Sequence, residues 1–360
     1  MNKKSNKKKQ KKLKSLILLL FLTIVMLSTS TYAWFTANKT VAIADINVYV
    51  ATSSGIQIST DAKNWKTMIT NGDITLPTDY SANVNAIPDN MVPVSTAGSI
   101  TSDTGYMNMY RGTVEADEES GTLALTAVTS PENTTDTRDF VSFDIFLKTE
   151  EDTTIYLENG SGVTVTTGKD DKGLEYAGRY AFLIEGNNSS TTADPAVVQA
   201  YHGATSALIF EPNYDGHTPS GIVQATNYYG ITGLTATVVA GGDTHDNAAA
   251  AASSGNAAVT YSGVDDEIED PIPLNETYST DDPFGAITKT TLPYTYSTGD
   301  YTGNYTEAFE LSAGITKIRV YMWIEGQDVD CENDASGSFI TFALSLTTKT
   351  SATSTEPSEP

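Results

Sequence analysis

The sequence predicts an all-β protein, built as an antiparallel β-sandwich of the jelly-roll type with long loop insertions. Thr, Ser, Gly, Tyr and Val are abundant, and the sequence lacks long stretches of helical periodicity. Several segments instead alternate apolar and polar residues with period 2, which places one apolar face of a strand on a core. Strands that are apolar on one side only indicate two antiparallel sheets packed face to face.

The clearest alternation lies in the segments 140–148, 317–324 and 338–347, and each is predicted to be a core strand. In the second of them, Tyr321 and Trp323 are predicted to point away from the apolar face. The side chains predicted to face the core are Val141, Phe143, Ile145, Leu147, Ile318, Val320, Met322, Ile324, Ile340, Phe342, Leu344 and Leu346. Further strands are predicted near 55–59, 122–128, 153–157, 162–167, 178–184, 205–210 and 231–239.

Turn residues separate these segments. Asn71-Gly72, Asn159-Gly160, Asp215-Gly216 and Gly241-Gly242 are typical of hairpin turns or loops, because Asn, Asp and Gly tolerate the backbone conformations that tight turns require. Frequent turns between short alternating strands favour a sandwich over a helical architecture.

An early strand is predicted at about 43–51. Its apolar residues are Ile43, Ile46, Val48 and Val50, and the last three alternate with polar or aromatic neighbours. This strand begins shortly after the N-terminal leader, so it would lie near the end of the processed chain.

The first 33 residues are predicted to be a secretory signal peptide. Eight lysines lie between Lys3 and Lys14, and an apolar run follows from Leu16 to Leu27. Cleavage is expected between Ala33 and Trp34, and an uncleaved signal anchor is the alternative. The apolar run is short for a membrane span, which needs about 20 residues. We therefore expect a secreted protein, extracellular or at the cell surface, that meets a membrane only through its leader before cleavage.

The remainder is predicted to form one β-sandwich domain over 34–349, in which 185–310 holds loop-rich insertions. Residues 350–360 are rich in Ser, Thr, Glu and Pro, a composition typical of a disordered tail. The chain has 21 basic and 45 acidic residues, and the leader holds eight of the basic ones, so the processed chain carries 13 − 45 = −32. Such a charge repels phosphate backbones and anionic lipids, so no nucleic-acid partner is expected.

Catalytic motifs are absent from the sequence. The histidines are His202, His217 and His245, and none belongs to a His-Glu-x-x-His pattern. Cys331 is the single cysteine, so the chain cannot form an internal disulfide, and we expect its thiol to be buried. The sequence therefore predicts a protein that is not an enzyme, and a secreted hydrolase is the least favoured class.

A candidate calcium site lies between the last two predicted core strands. Asp328, Asp330, Glu332 and Asp334 alternate along 326–337, and Ca²⁺ prefers six to eight oxygen ligands. The segment lacks the glycine and the closing glutamate of an EF-hand loop. The alternative is a polar hairpin loop that joins 317–324 to 338–347.

The junction Thr31-Tyr-Ala-Trp-Phe-Thr36, after a lysine-rich start, resembles the leaders of the TasA/camelysin group of Firmicutes secreted proteins, which a dedicated signal peptidase processes. Weaker internal resemblances lie in Phe140–Lys148 and Val320–Cys331, in Arg179-Tyr-Ala-Phe and in Phe210-Glu-Pro-Asn213. The resemblance implies a secreted jelly-roll subunit of biofilm-matrix fibres. Camelysin-type members are labelled metalloproteases, but this sequence lacks a metal-ligand constellation, so that activity is not carried over.

In such fibres an extended N-terminal segment completes the sheet of the next subunit, and the matching donor strand here is 38–51, with Ile43, Ile46, Val48 and Val50. We therefore expect self-association into fibres, alongside other matrix or cell-wall components. The alternative function is a surface adhesin or glycan-binding module that uses tyrosine-rich loops, including Tyr228 and Tyr296.

Overall fold

The computed structural model describes the chain in fourteen segments. These are residues 41–50, 55–75, 79–116, 123–132, 139–157, 161–165, 173–212, 217–218, 221–222, 261–273, 287–290, 306–328, 330–331 and 339–348. The predicted leader with Ala33 and Trp34, the predicted strand 231–239 and the predicted tail lie outside the described residues.

The described part of the chain is dominated by strands, as the sequence predicts. Its short helices are α1 (Asn71–Thr75) and α2 (Pro195–Gln199), and Leu174–Ala177 forms one 3-10 turn. The strands are β1 (Val41–Val50), β2 (Gln57–Ser59), β3 (Met68–Thr70), β4 (Asn90–Met91), β5 (Tyr110–Ala116), β6 (Leu123–Thr129), β7 (Val141–Thr149), β8 (Thr153–Leu157), β9 (Gly162–Val165), β10 (Gly178–Asn188), β11 (Leu208–Phe210), β12 (Tyr261–Val264), β13 (Ile268–Pro273), β14 (Ile287–Thr290), β15 (Thr306–Leu311), β16 (Gly314–Ile324) and β17 (Phe339–Thr347).

Two main sheets form the body of the protein. Sheet A has the order β15-β8-β17-β1-β3, with β4 also paired to β1 and β9 to β17. Sheet B has the order β11-β10-β16-β7-β2. The remaining described strands form two small sheets, β12-β14 and β13-β6-β5. The all-β sandwich class is confirmed.

The core lies between sheets A and B. The twelve side chains predicted to face it are all fully buried and belong to one apolar cluster. The burial pattern of β17 follows the alternation of its sequence. Its inward residues are buried, and the intervening residues are half-buried along most of the strand. Cys331 joins the same cluster with its thiol buried, as expected.

The predicted early strand is β1, and it lies inside sheet A. It pairs in parallel with β17 over eight registered positions and antiparallel with β3 and β4 on its other side. A register shift between Ile43 and Asp45 interrupts the parallel ladder. Ile46 and Val48 are fully buried and Val50 nearly so, which places the alternating residues of β1 in the core.

Strand succession bears on the jelly-roll prediction. Eight strands of the two main sheets can be numbered one to eight in chain order: β1, β7, β8, β10, β11, β15, β16 and β17. In these numbers, sheet A has the order 6-3-8-1 and sheet B has the order 5-4-7-2. This is the succession of a jelly roll, in which the first and last strands run antiparallel. Here they run parallel. The jelly-roll subclass therefore stays a prediction.

The outer face of sheet B is covered by other parts of the chain. Every residue of β16 is buried, and so is nearly every residue of β7. Tyr321 and Trp323 point away from the main core, as predicted, but into a second apolar cluster with Val94 and Met107. Residues of 79–109 and the α2 region lie over this face.

Three local expectations need correction or refinement. Asn71-Gly72 opens helix α1, because the Asp73 side chain accepts from the backbone of Thr70 and favours a helical turn. Strands β16 and β17 belong to different sheets, so the segment between them is not a hairpin loop. Within the predicted insertions of 185–310, β10 runs on to Asn188, and β11 is a strand of sheet B.

Candidate functional site

The described calcium candidates are both held by positively charged or hydrogen-bond-donating groups. Asp328 forms a buried ion pair with Arg179. Asp330 Oδ2 lies 2.9 Å from Nδ1 of His217, and its Oδ1 accepts from the backbone N–H of Thr218 at 2.8 Å. Glu332 and Asp334 lie outside the described residues.

A guanidinium beside a carboxylate competes with a cation for its oxygens. Among the residues that the structure describes, no group of three His, Cys, Asp or Glu side chains is arranged to hold a metal ion. Calcium binding stays a prediction, and in the described structure the two carboxylates lie in a buried polar cluster.

We refer to Arg179, Glu211, His217, Asp328 and Asp330 as the turn cluster. Arg179 Nη2 lies 3.3 Å from Glu211 Oε1, and all five side chains are buried. The cluster joins β10 to the turn that follows β16 and to the segment 217–218. Its chemistry is that of an internal ion-pair network, which fixes the end of the sandwich.

Burial sets the protonation of the turn cluster. Desolvation raises the pKa of Glu211 to about 8, although Arg179 opposes the shift. Desolvation also raises the pKa of Asp328 against the pull of Arg179. Nearby Glu325, which accepts from Trp323 Nε1 at 3.1 Å, has its pKa raised to about 7 by burial. Glu211 therefore favours the protonated form at neutral pH, and Glu325 beside the cluster gains or loses a proton near pH 7.

A second set of charged residues lies on the covered face of sheet B. We refer to Asp144 (β7), Glu185 (β10), Lys317 and Arg319 (both β16) as the covered-face cluster. Arg319 Nη1 donates to Asp144 Oδ1 at 2.7 Å, and Lys317 Nζ lies 3.3 Å from Asp144 Oδ2. All four side chains are at most 2% exposed. Three adjacent strands thus present opposite charges to each other away from water.

The covering segments are fastened to this cluster by hydrogen bonds. Lys317 Nζ donates to the backbone oxygens of Gln199 and Tyr201, each at 2.9 Å. The Tyr80 hydroxyl donates to Asp144 Oδ2 at 2.8 Å. Arg319 Nε donates to Glu132 Oε1 at 2.7 Å. The lysine and arginine therefore hold the α2 region and the segments around residues 80 and 132 onto the sheet.

Protonation within the covered-face cluster is uneven. Burial by itself would raise the pKa of Asp144, but Arg319 and Lys317 outweigh it and hold that pKa below its usual value. Burial lowers the pKa of Lys317 despite Asp144. Burial raises the pKa of Glu185 to about 7. Asp144 is thus the ionised acid of the cluster, and Glu185 is the acid that gains or loses a proton near neutrality.

Sequence reasoning missed both clusters. Lys317 and Arg319 occupy polar positions of an alternating strand, and that pattern is typical of a solvated face. His217 and Asp330 are 113 residues apart, so their contact leaves no local motif. One signal was available: Tyr321 and Trp323 follow the two cations on the same face, and large aromatic residues on an outer face indicate cover.

The predicted donor strand is the third candidate region. Ile46, Val48 and Val50 lie together in the core of their own chain, and Ile43 is partly buried against the same cluster. Donation of this strand to a neighbour stays a prediction. Tyr228 and Tyr296, which the adhesin alternative needs, lie outside the described residues.

In the described part of the chain, no helix is long and apolar enough to cross a membrane. The chain matches no family model, no curated protein and no solved structure, so its resemblance to the TasA/camelysin group stays a prediction from sequence.

Proposed function

We propose that this protein is an exported, non-enzymatic structural subunit that assembles with copies of itself into extracellular or cell-surface fibres, as in a biofilm matrix. Assembly would proceed by exchange of β1, so that the strand of one copy fills sheet A of the next. Other matrix or cell-wall components would be its further partners. The position of β1 in sheet A is the observation that carries the proposal.

The β1 strand of another copy could take the place of β1 in sheet A. It has ladder partners on both sides, with β17 in parallel and with β3 and β4 antiparallel. Its buried side chains fill the core between the sheets. If β1 left, two rows of backbone groups and an apolar groove would lose their partners, which is costly in water. A second copy of β1 restores every one of these contacts.

Sequence connectivity favours exchange of this strand in particular. Because β1 and β17 run parallel, no tight hairpin links them, and they come from the two ends of the described chain. Among the described residues every other strand follows Val50, so β1 can move to a neighbour without unthreading any of those strands. Domain swapping of a terminal element makes new intermolecular contacts out of contacts already selected within one chain.

Charge shapes how such subunits meet. The processed chain would carry a net charge of −32, and like-charged surfaces repel at long range. Backbone hydrogen bonds and the burial of Ile46, Val48 and Val50 do not depend on net charge. Burying each such side chain contributes about 1.5–3 kcal/mol, whether β1 fills the sheet of its own chain or of a neighbour. Raising the salt concentration screens the repulsion and should speed assembly.

Disulfide trapping tests the exchange directly. Tyr49 and Ser345 are registered neighbours on the outer face of β1 and β17. Neighbouring strands lie about 4.7–4.9 Å apart, which suits a disulfide. Chains that begin at Trp34, one carrying Tyr49→Cys and the other Ser345→Cys, would be mixed, assembled and oxidised. We expect a disulfide between the two different chains and fibres in electron micrographs.

Two controls define the result. A Tyr49→Cys chain mixed with a Glu310→Cys chain should give no such bond, because β15 lies at the far edge of sheet A. The double variant, oxidised when dilute, should close within one chain. The proposal fails if the mixture remains monomeric at high concentration, with and without calcium, and no disulfide joins two chains.

A further inference from the structure

Three adjacent strands of sheet B bring one amine and two carboxyl groups together out of water. Arg319 of β16 is registered with Asp144 of β7, and Lys317 lies two residues away on the same face. On the other side of β16, the ladder to β10 shifts between Ile184 and Gly186, so Glu185 is the extra residue beside Lys317. Lys317 therefore lies between a carboxyl group on each neighbouring strand.

The amine of Lys317 is held close to the carboxyl group of Asp144. The Nζ–Oδ2 distance is 3.3 Å, and both side chains are at most 2% exposed. Two backbone oxygens anchor the same nitrogen. Fixed contact between two reactive groups replaces a bimolecular encounter, which lowers the barrier to reaction.

The surroundings suit a condensation between these groups. Arg319 Nη1 donates to Oδ1 of Asp144 at 2.7 Å, where negative charge would develop as the carbonyl carbon becomes tetrahedral. The Tyr80 hydroxyl donates to Oδ2 at 2.8 Å, the oxygen that would leave. An apolar cluster that includes Tyr80 and Phe146 borders the pair and helps to keep water out.

Glu185 lies beside Lys317 in the ladder without a direct ion pair to it, and one of its oxygens is open to a proton. Its Oε2 accepts from the backbone N–H of Ala204 at 3.3 Å, while among the described residues its Oε1 has no hydrogen-bond partner. Burial raises the pKa of Glu185 to about 7 and lowers that of Lys317. A carboxyl group of this kind can take a proton and return it near neutral pH.

We propose that Lys317 and Asp144 condense into an intramolecular isopeptide bond, with Glu185 carrying the proton. The resting pair is ionic, so the reaction begins from its minor neutral form, in which the ammonium group of Lys317 has passed a proton to Oδ2 of Asp144. The neutral Nζ then attacks Cγ, and the proton that the nitrogen loses moves through Glu185 to Oδ2. The C–Oδ2 bond breaks, one water leaves and the amide remains. No group is oxidised or reduced.

The bond would give this chain an internal covalent cross-link, which a single cysteine cannot supply because a disulfide needs two. It joins β7 to β16 across 317 − 144 = 173 residues of sequence. A cross-link that closes so long a loop restricts the unfolded chain strongly. Its benefit would be resistance to unfolding under heat or mechanical load, whether or not β1 exchanges between copies.

Mass spectrometry of the purified mature chain tests the bond without relying on the stability of any variant. We expect the intact mass to be lower than the mass calculated for the mature chain by the mass of one water molecule. Because a bonded Lys317 is no longer a trypsin site, digestion should yield residues 139–148 linked to 290–319. The proposal is overturned if the intact mass equals that of the sequence, if 139–148 and 290–317 appear as separate peptides, or if a water loss maps elsewhere.

Variants assign the roles. Lys317→Arg keeps the positive charge but removes the nucleophile, so the water loss should vanish. Glu185→Gln should slow formation of the bond by about 10²–10⁴-fold, as expected when proton transfer is removed. Glu310→Gln changes an exposed carboxyl group on β15 and should form the bond at the unaltered rate. Equal rates in Glu185→Gln and Glu310→Gln would contradict the role given to Glu185.

Discussion

The two sheets differ in what lies on their outer faces. In sheet A the outward side chains of β17 are half-buried, and Tyr49 and Met68 on the neighbouring strands are each more than 40% exposed. In sheet B the outward side chains of β16 are fully enclosed, including Lys317 and Arg319. The same alternation of apolar residues thus builds one sheet with an open face and one with a covered face.

This difference separates two kinds of stabilisation. Sheet A depends on the main core and on its ladders, so its outer face tolerates change and remains open to partners. Sheet B binds its cover through charged side chains, and a buried charge is tolerated only while its partners stay in place. The open sheet is where we place exchange between copies, and the covered sheet is where the chain is fastened to itself.

The largest expected effect comes from removing a cation of the covered face. Arg319→Met leaves Asp144 and Glu132 without their guanidinium partner in a buried site. We expect the free energy of unfolding to fall by about 3–5 kcal/mol, as for other broken buried ion pairs. Urea unfolding followed by tryptophan fluorescence measures the change.

The matched control for that substitution is an exposed ion pair at the protein surface. Lys66 pairs with Asp73, and the Lys66 side chain is 47% exposed. Lys66→Met should change the free energy of unfolding by about 0–1 kcal/mol, because water screens such pairs. Similar losses in the two variants would show that the covered face is not the more demanding site.

Removing one hydroxyl group from each face compares the two sheets again, with a smaller expected change in the free energy of unfolding. The Tyr321 hydroxyl donates to Glu132 Oε2 at 2.5 Å and accepts from the backbone N–H of Met107 at 3.2 Å. Tyr321→Phe should reduce the free energy of unfolding by about 1–3 kcal/mol, since buried polar partners are left unsatisfied. Tyr49→Phe, on the open face, should stay within about 0.5 kcal/mol in the same urea titration.

The two faces also mark how far the sequence predicts this structure. Alternation correctly assigns the inward residues of β7, β16 and β17, because burial of one face is a local property of a strand. The cover over sheet B depends on segments that return to it from distant parts of the chain, such as Tyr80 and Gln199 on Lys317. No local pattern records such contacts, so the sequence does not predict that Lys317 is buried.

Strand direction and long-range ion pairing are two further features that local sequence patterns do not predict. The existence of β1 was predicted, but its parallel pairing with β17 was not, because hydrophobic alternation is the same for either strand direction. The acidic run after β16 was a candidate calcium site on its spacing alone, with a polar hairpin loop as the alternative. Its partner Arg179 lies 149 residues earlier, so the ion pair with Asp328 appears only in the folded chain.

The smallest predicted effect concerns pH and again sets the two sides of the molecule apart. In the turn cluster at the end of sheet B, burial raises the pKa of Glu211 to about 8, from a usual value of 4.5. Between those values the folded state binds more protons than the unfolded state, so stability falls as the pH rises through this window. Asp73 beside sheet A has a lowered pKa, since hydrogen bonds from Lys66 and Thr70 outweigh its slight burial, so it contributes no loss there.

We expect Tm to fall by a few degrees, roughly 2–4 °C for each kcal/mol lost, between pH 6 and pH 9. Glu211→Gln should reduce that slope, to which Glu185 and Glu325 also contribute, while Asp73→Asn leaves it unchanged. Differential scanning calorimetry over the pH series measures both. A slope that is equally steep in Glu211→Gln would mean that the turn cluster does not control the pH dependence of stability.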